Sequence, residues 1–289
     1  MTGLIVVGVD GSAPATAALD WASEEAARRG AALKIVHVHE PWAAATPFFR
    51  AGVADDPAAG YGRETLEAAE RRACERAPAI EITTDLATGA VVERLKAESE
   101  GADELVIGSR GLGGFAGLVL GSVGLALAGH AAVPVVVVRT AARTAHGVIV
   151  AGFDGSEHSE AALEYAFTQA RLRGCRLRAV HAWQMPMVSP YALGYSPVVK
   201  GLYRDEAEVV RQYLAPWREK YPDIEVEEAA VCDHPVRALS DASRRADLVV
   251  VGSRGLGGFG AAVLGSVGHG VLHRAHCPVA VVRPREEER

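Results

Sequence analysis

The hydrophobic positions fall into short, nearly unbroken runs separated by longer amphipathic stretches, and that alternation decides the fold class before any single residue is considered. Leu4-Ile5-Val6-Val7-Gly8-Val9 is apolar throughout and ends in Asp10-Gly11, the pattern of a strand buried on both faces of a parallel sheet. Behind it Ser12 stands where a helix N-cap would, and Pro14 falls in a first turn. Ala17, Ala18, Trp21, Ala22 and Ala26 then recur at helical spacing as far as Gly30. The same alternation predicts strands over 33–39, 80–86, 104–107 and 135–138, with helices over 63–76, 90–99 and after Gly121. Beyond residue 147 it predicts strands over 148–153, 177–181, 224–231, 248–251 and 279–282. The helices there span 160–172, 203–220 and 236–245, with a fourth after Gly265. Five strands interleaved with about four helices in each half define an α/β protein of two tandem, doubly wound, open parallel-sheet domains.

The two halves are copies of one unit. Gly108-Ser109-Arg110-Gly111-Leu112-Gly113-Gly114-Phe115 and Leu120-Gly121-Ser122-Val123-Gly124 return as Gly252-Ser253-Arg254-Gly255-Leu256-Gly257-Gly258-Phe259 and Leu264-Gly265-Ser266-Val267-Gly268. Each residue stands 144 positions after its counterpart, as do Asp154 after Asp10, His181 after His37 and Pro278 after Pro134. A chain of 289 residues holds two domains of this size, expected at 1–140 and 147–289 with a short polar join. Two segments, 41–61 and 183–199, break the rhythm after the second strand of each half. They carry Trp42, Phe48, Phe49 and Tyr61, and Trp183, Met185, Met187, Tyr191 and Tyr195. Packing over a domain edge and covering a ligand both remain open for these residues.

Charge and composition exclude several functions. A formal net charge of −6, with Lys and Arg spread along the chain, offers no basic surface for a nucleic acid. No apolar run is long enough to span a bilayer, and the N-terminus enters its first strand without the features of a signal peptide, so a cytoplasmic protein with no membrane partner is expected. Cys74, Cys175, Cys232 and Cys277 are isolated from one another, which argues against a disulfide framework or a thiolate zinc site.

The glycine loops carry the candidate chemistry. Each leaves the carboxyl end of the fourth strand of its half, the edge where doubly wound sheets bind ligands. Glycines permit positive φ and let an anion approach the amides closely. Gly121-Ser122-Val123 and Gly265-Ser266-Val267 then open helices whose free amides and dipole favour negative charge. Together these features predict a phosphate cradle; the alternative is a glycine cluster that only permits tight turns. The loop lacks the Gly-Lys-Ser/Thr ending of a Walker A loop and follows the fourth strand, where a dinucleotide fingerprint follows the first. Asp10 and Asp154 end the first strand of each half, where a carboxylate accepts a ribose hydroxyl, holds a divalent cation or caps the helix that follows. Arg110 and Arg254 lie inside the loops, pointing either to phosphate or to water. His37 and His181 close the second strands and read as core-edge histidines. His269, His273 and His276 have a metal-like spacing, but Leu125, Gly129 and Ala132 replace them in the first half and argue against a metal.

Gly-x2-Gly-x9-Gly-Ser occurs at Gly108, Gly111, Gly121 and Ser122, and again at Gly252, Gly255, Gly265 and Ser266. With Val-Asp-Gly-Ser at 9–12 and Phe-Asp-Gly-Ser at 153–156, it resembles the universal stress protein family. The resemblance covers almost the whole chain as a tandem pair and implies an adenine nucleotide alpha hydrolase-like fold binding one ATP per domain, with Mg2+. In the first half it implicates Gly8, Val9, Asp10, Val38, Ile107, Gly108, Arg110, Gly111, Gly121, Ser122 and Val123. In the second it implicates Gly152, Phe153, Asp154, Ala182, Val251, Gly252, Arg254, Gly255, Gly265, Ser266 and Val267. Val38 and Ala182 fall near the base, and Asp10 and Asp154 near the ribose and metal. The resemblance also implies a homodimer through the terminal edge strands or the domain faces, and regulatory protein partners. On this reading the chain is a nucleotide-dependent stress-response regulator. The alternatives are a slow ATP hydrolase or adenylyl-transfer enzyme, for which no general base repeats in both loops beyond the serines, and an interaction module that binds nucleotide for stability.

Overall fold

The computed structural model describes residues 3–40, 57–112, 120–139, 144–185, 196–256 and 264–284. These divide into two compact units on either side of the 143/144 boundary. The first unit runs β1 (Leu4–Gly8), α1 (Ala13–Arg29), β2 (Ala32–His39), α2 (Pro57–Arg76), β3 (Ile82–Thr88), α3 (Val91–Glu98), β4 (Glu104–Gly108), α4 (Ser122–His130) and β5 (Val135–Val138). The second runs β6 (Val148–Gly152), α5 (Glu157–Arg173), β7 (Arg176–Trp183), α6 (Ser196–Lys220), β8 (Val226–Cys232), α7 (Pro235–Ala242), a 3-10 turn (Ser243–Arg245), β9 (Leu248–Gly252), α8 (Ser266–Arg274) and β10 (Val279–Val282). No helix among the described residues is long and apolar enough to cross a membrane.

In the first unit the strand order is β3-β2-β1-β4-β5, all pairs parallel, with Val7 beside Ile35 on one flank and Val106 on the other. In the second it is β8-β7-β6-β9-β10, again parallel. The order reverses at β1/β4 and at β6/β9, so the switch point of each sheet lies between the strand ending before an aspartate and the strand feeding a glycine loop. The central strands are buried on both faces; Ile5, Val6 and Val7 are fully buried, as are Ile149, Val150 and Ala151. That explains why their sequences are continuous apolar runs. Helices α1 and α2 pack together on one face and α3 and α4 on the other.

Helix α1 begins where the sequence places its signals. Ser12 is extended (φ −71°, ψ 156°) and its Oγ accepts the Ala15 amide at 3.2 Å, while Gly30 closes the helix in the left-handed region (φ 61°). Ser156 and Gly174 do the same for α5. Three expectations shift. β2 ends at His39 as expected but β7 runs on to Trp183, and both His37 and His181 lie within their strands and not at their ends. Helix α2 starts at Pro57 and not near Arg63, passing through Gly60 and Gly62. Packing outweighs glycine's poor helix propensity there, because a Cβ on Gly62 would lie 2.9 Å from His37 Cδ2, and only glycine lets α2 close on that ring. Helix α6 likewise starts at Ser196 and not near Tyr203. Trp42, Phe48, Phe49, Met187, Tyr191 and Tyr195 lie outside the described residues.

Candidate functional site

The switch point of each unit is organised by one carboxylate. Asp10 follows β1, and its Oδ1 accepts the Ser12 amide at 2.9 Å while Oδ2 accepts the Leu112 amide at 2.8 Å. The first bond closes a turn over Gly11, which needs its φ of 84°; the second reaches across to the glycine loop. Ser12 adds a third tie, its Oγ donating to the Arg110 carbonyl at 3.2 Å. Asp154 repeats the design, accepting Ser156 at 3.1 Å and Leu256 at 3.0 Å, with Gly155 at φ 83°. Burial alone would raise the Asp154 carboxyl, but hydrogen bonds from Ser156, Leu256 and Ser159 outweigh it and hold the group below the usual 3.8. The helix-capping alternative for these aspartates is therefore overturned, because Ser12 and Ser156 are the caps.

The motif glycines divide into separate jobs. A Cβ on Gly108 would meet Pro14 C and Ala15 N at 2.7 Å, so this glycine lets β4 run against the first turn of α1. Gly252 does the same against the His158 carbonyl at 2.8 Å. A Cβ on Gly111 would lie 2.5 Å from Asp10 Oδ2; Gly255 is held as tightly by Asp154. Gly121 is different, since its nearest neighbour would be Ser109 O at an ordinary 3.6 Å. It is the extended residue before α4, its amide donates to Ser109 O at 2.8 Å, and no side chain caps the helix start. Gly265 precedes α8 in the same way, its amide 2.7 Å from Ser253 O. The expectation that the motif glycines adopt positive φ is not met at 108, 111, 121, 252, 255 or 265. At the switch points positive φ falls at Gly11 and Gly155, and glycine at 108, 111, 252 and 255 serves close packing. The stretches 113–119 and 257–263 lie outside the described residues.

The remaining expected residues surround these frames. Gly8 and Gly152 let Leu95 and Leu239 close on the sheet, with a Cβ on Gly8 only 3.1 Å from Leu95 Cδ1. Ile107 and Val251 are buried to 3% exposure in β4 and β9, so only their backbone faces the loop. Val9 is buried and its carbonyl pairs with His37 Nδ1 at 2.9 Å; Phe153 and His181 repeat the contact at 3.2 Å. Val38 and Ala182 follow those histidines and therefore point to the opposite sheet face. Ser122 and Ser266 are exposed at the first position of α4 and α8, with Val123 and Val267 next to them. Arg110 is exposed, and Arg254 Nε is buried without a hydrogen-bond partner among the described residues.

One pair escaped the sequence reading. Ser253 Oγ lies 3.0 Å from His158 Nδ1, and the serine is fully buried. Burial first, then Arg254 and Arg283, hold His158 below the usual 6.5, so the ring is neutral near pH 7. The first unit has Pro14 at the matching position, and that mismatch within an otherwise faithful repeat was the available signal. The His269 and His273 rings lie tilted at 42° with centroids 4.7 Å apart, and no group of three potential metal ligands occurs among the described residues.

These frames, set twice at the switch points of parallel sheets, define a class of tandem α/β protein with two helix starts that no side chain caps. The family model for the universal stress protein family matches residues 1–139 and 146–283. Universal stress protein Rv2005c of Mycobacterium tuberculosis is 37% identical over 299 residues, covering 96% of each chain. Rv1996 of the same organism is 36% identical over 300 residues, covering 96% of this chain and 94% of its own. The crystal structure of a universal stress protein from Archaeoglobus fulgidus superposes with a TM-score of 0.69 at 20% identity, covering 98% of both chains, which supports the fold. The chain belongs to the universal stress protein family, as a tandem pair.

Proposed function

We propose that each unit binds one ATP at its switch point, with the phosphates on the uncapped helix start after Gly121 or Gly265, and that occupancy regulates contact with protein partners. The observation that carries this reading is the duplicated frame in which Asp10 or Asp154 fixes the glycine loop through the Leu112 or Leu256 amide. The frame presents the first amides of α4 and α8 with no side-chain competitor, which suits a polyanion. The Asp10 carboxylate keeps lone pairs beyond its two backbone bonds, which suits a ribose hydroxyl or a Mg2+ ion accompanying the phosphates. Dimerisation through edge strands or domain faces belongs to the same proposal.

Titrating the nucleotide-free chain with ATP, with and without Mg2+, tests it by calorimetry. Ser122→Glu and Ser266→Glu put a carboxylate at a helix N-terminus, where it suits the dipole but repels phosphate. Each variant is expected to remove one of two equivalents, and the double variant both. A wild-type chain that takes up no ATP would overturn the reading.

A second reading, slow ATP hydrolysis or adenylyl transfer, is favoured in the second unit alone by the Ser253–His158 pair. With ATP binding intact in His158→Ala, loss of slow ADP formation would establish hydrolysis, and loss of pyrophosphate release would establish adenylyl transfer.

A further inference from the structure

Between α1 and α2, on the face of the first sheet opposite Val38, lies a cavity of about 400 Å³. Val9, Leu19, Ala68 and Ala69 form its apolar walls; the Thr16 and Thr65 hydroxyls line it, and Glu64 and Arg72 stand at its edge. The volume is in the range of small-molecule sites. Arg72 is engaged by Asp20 through two bonds, Nε to Oδ1 at 2.5 Å and Nη2 to Oδ2 at 2.8 Å, so its charge is already answered.

The second unit shows what this space accepts. The offset of 144 that holds through the glycine loops also holds here: Arg76-Ala77-Pro78 before β3 matches Lys220-Tyr221-Pro222 before β8. It sets Phe153 at the place of Val9, Tyr213 at that of Ala69 and Glu160 at that of Thr16. In the second unit the Tyr213 ring stacks on Phe153 at 5.1 Å and 9°, and its hydroxyl donates to Glu160 Oε1 at 3.4 Å. A phenol ring therefore lies between the helices where the first unit has a valine, an alanine and a threonine around open space.

We propose that the α1/α2 cavity of the first unit is a binding site for a small, neutral, planar aromatic molecule carrying a hydroxyl group. The ring takes the place that Tyr213 fills in the second unit, against Val9, Leu19 and Ala69. Thr16 Oγ1 donates to Ser12 O at 3.0 Å and keeps lone pairs to accept the ligand hydroxyl. The neutralised Arg72 selects against a charged ligand. The site shares Val9 with the residues expected for nucleotide but lies on the sheet face away from Val38, where the base is expected. The ring of His37 faces α2, 6.1 Å from Tyr61, so the next residue, Val38, faces away from the cavity. The inference stands whether or not the chain binds ATP.

The probe is p-cresol, the side chain of tyrosine, added to the full chain and followed by ligand-observed saturation-transfer NMR with a titration. One saturable site per wild-type chain is expected. Ala69→Tyr supplies the ring covalently and should weaken p-cresol at least tenfold, whereas Tyr213→Ala should open a second site. If Ala69→Tyr does not fold, judged by circular dichroism, Thr65→Phe blocks the same space from an adjacent wall and carries the same expectation. No saturable binding to the wild type, or binding unchanged in the folded blocking variant, would overturn the proposal.

Discussion

The seam between the first two helices of the first unit is lined with small side chains, and the matching seam of the second with rings. Val9, Ser23, Ala69, Ala73 and Ala77 of the first unit stand where the second has Phe153, Phe167, Tyr213, Trp217 and Tyr221. The rings form a ladder: Phe153 on Tyr213, then Phe167 on Trp217 at 5.6 Å and on Tyr221 at 4.7 Å. Ala73 is fully buried, so α2 closes on α1 at that level, and higher up the seam the cavity beside Ala69 remains. The Asp–Gly–Ser turn, the carboxylate reaching the loop amide and the glycine before the helix are meanwhile kept in both units, nearly bond for bond. After duplication the frame around the switch point has stayed fixed while the helix packing behind it has diverged. That division is expected if the frame serves a ligand common to both units while the seam is free to differ, because cores tolerate hydrophobic substitution when volume is made up elsewhere.

The comparison makes predictions of unequal size. Phe167→Ala removes the fully buried hub of the ladder and should cost about 3–5 kcal/mol. Ser23→Ala, at the matching place, loses only an Oγ bond to Leu19 O and should cost under about 1 kcal/mol. Urea unfolding of the two variants measures both, and equal losses would show that the seams are equivalent after all. Gly108→Ala and Gly252→Ala drive a methyl into backbone and should each cost about 1–3 kcal/mol, alike in the two units because the frame is shared.

Asp10→Ala and Asp154→Ala remove the acceptor of two backbone amides and should each cost about 1.5 kcal/mol. Amide exchange at Leu112 and Leu256 should rise in the matching variant only, and unchanged exchange would show that the carboxylates do not hold the loops. The smallest effect separates the units by pH. His158 has a folded value below 6.5, so on acidification the unfolded chain takes up a proton first. Stability contributed by the neutral ring is present above pH 6.5 and declines as pH falls below it. His158→Gln should flatten the urea midpoint between pH 7 and pH 5 relative to wild type; an identical slope would remove His158 as the cause.

Much of this organisation was legible in the sequence. Continuous apolar runs identify β1, β6 and β9 because strands buried on both faces leave no polar position, and Ser12, Gly30, Ser156 and Gly174 mark the helix ends through capping chemistry. The aspartates and glycines of the site were visible as a repeat. Their division of labour was not, since sequence shows that Gly108 and Gly111 are glycines but not that one meets Pro14 and the other Asp10. The starts of α2 and α6 were hidden because Gly60, Gly62 and Gly201 weaken the helical pattern locally, and at Gly62 close packing on His37 outweighs that cost. The Ser253–His158 contact joins residues 95 positions apart, a distance no local pattern reports.

The most direct test of the central claim is the nucleotide content of the purified chain after loading with Mg-ATP, gel filtration and denaturation, quantified by chromatography and mass spectrometry. The account predicts about two ATP per chain, one for each helix start. A chain that releases none would contradict it, and would show that the duplicated carboxylate and glycine frame serves the fold alone.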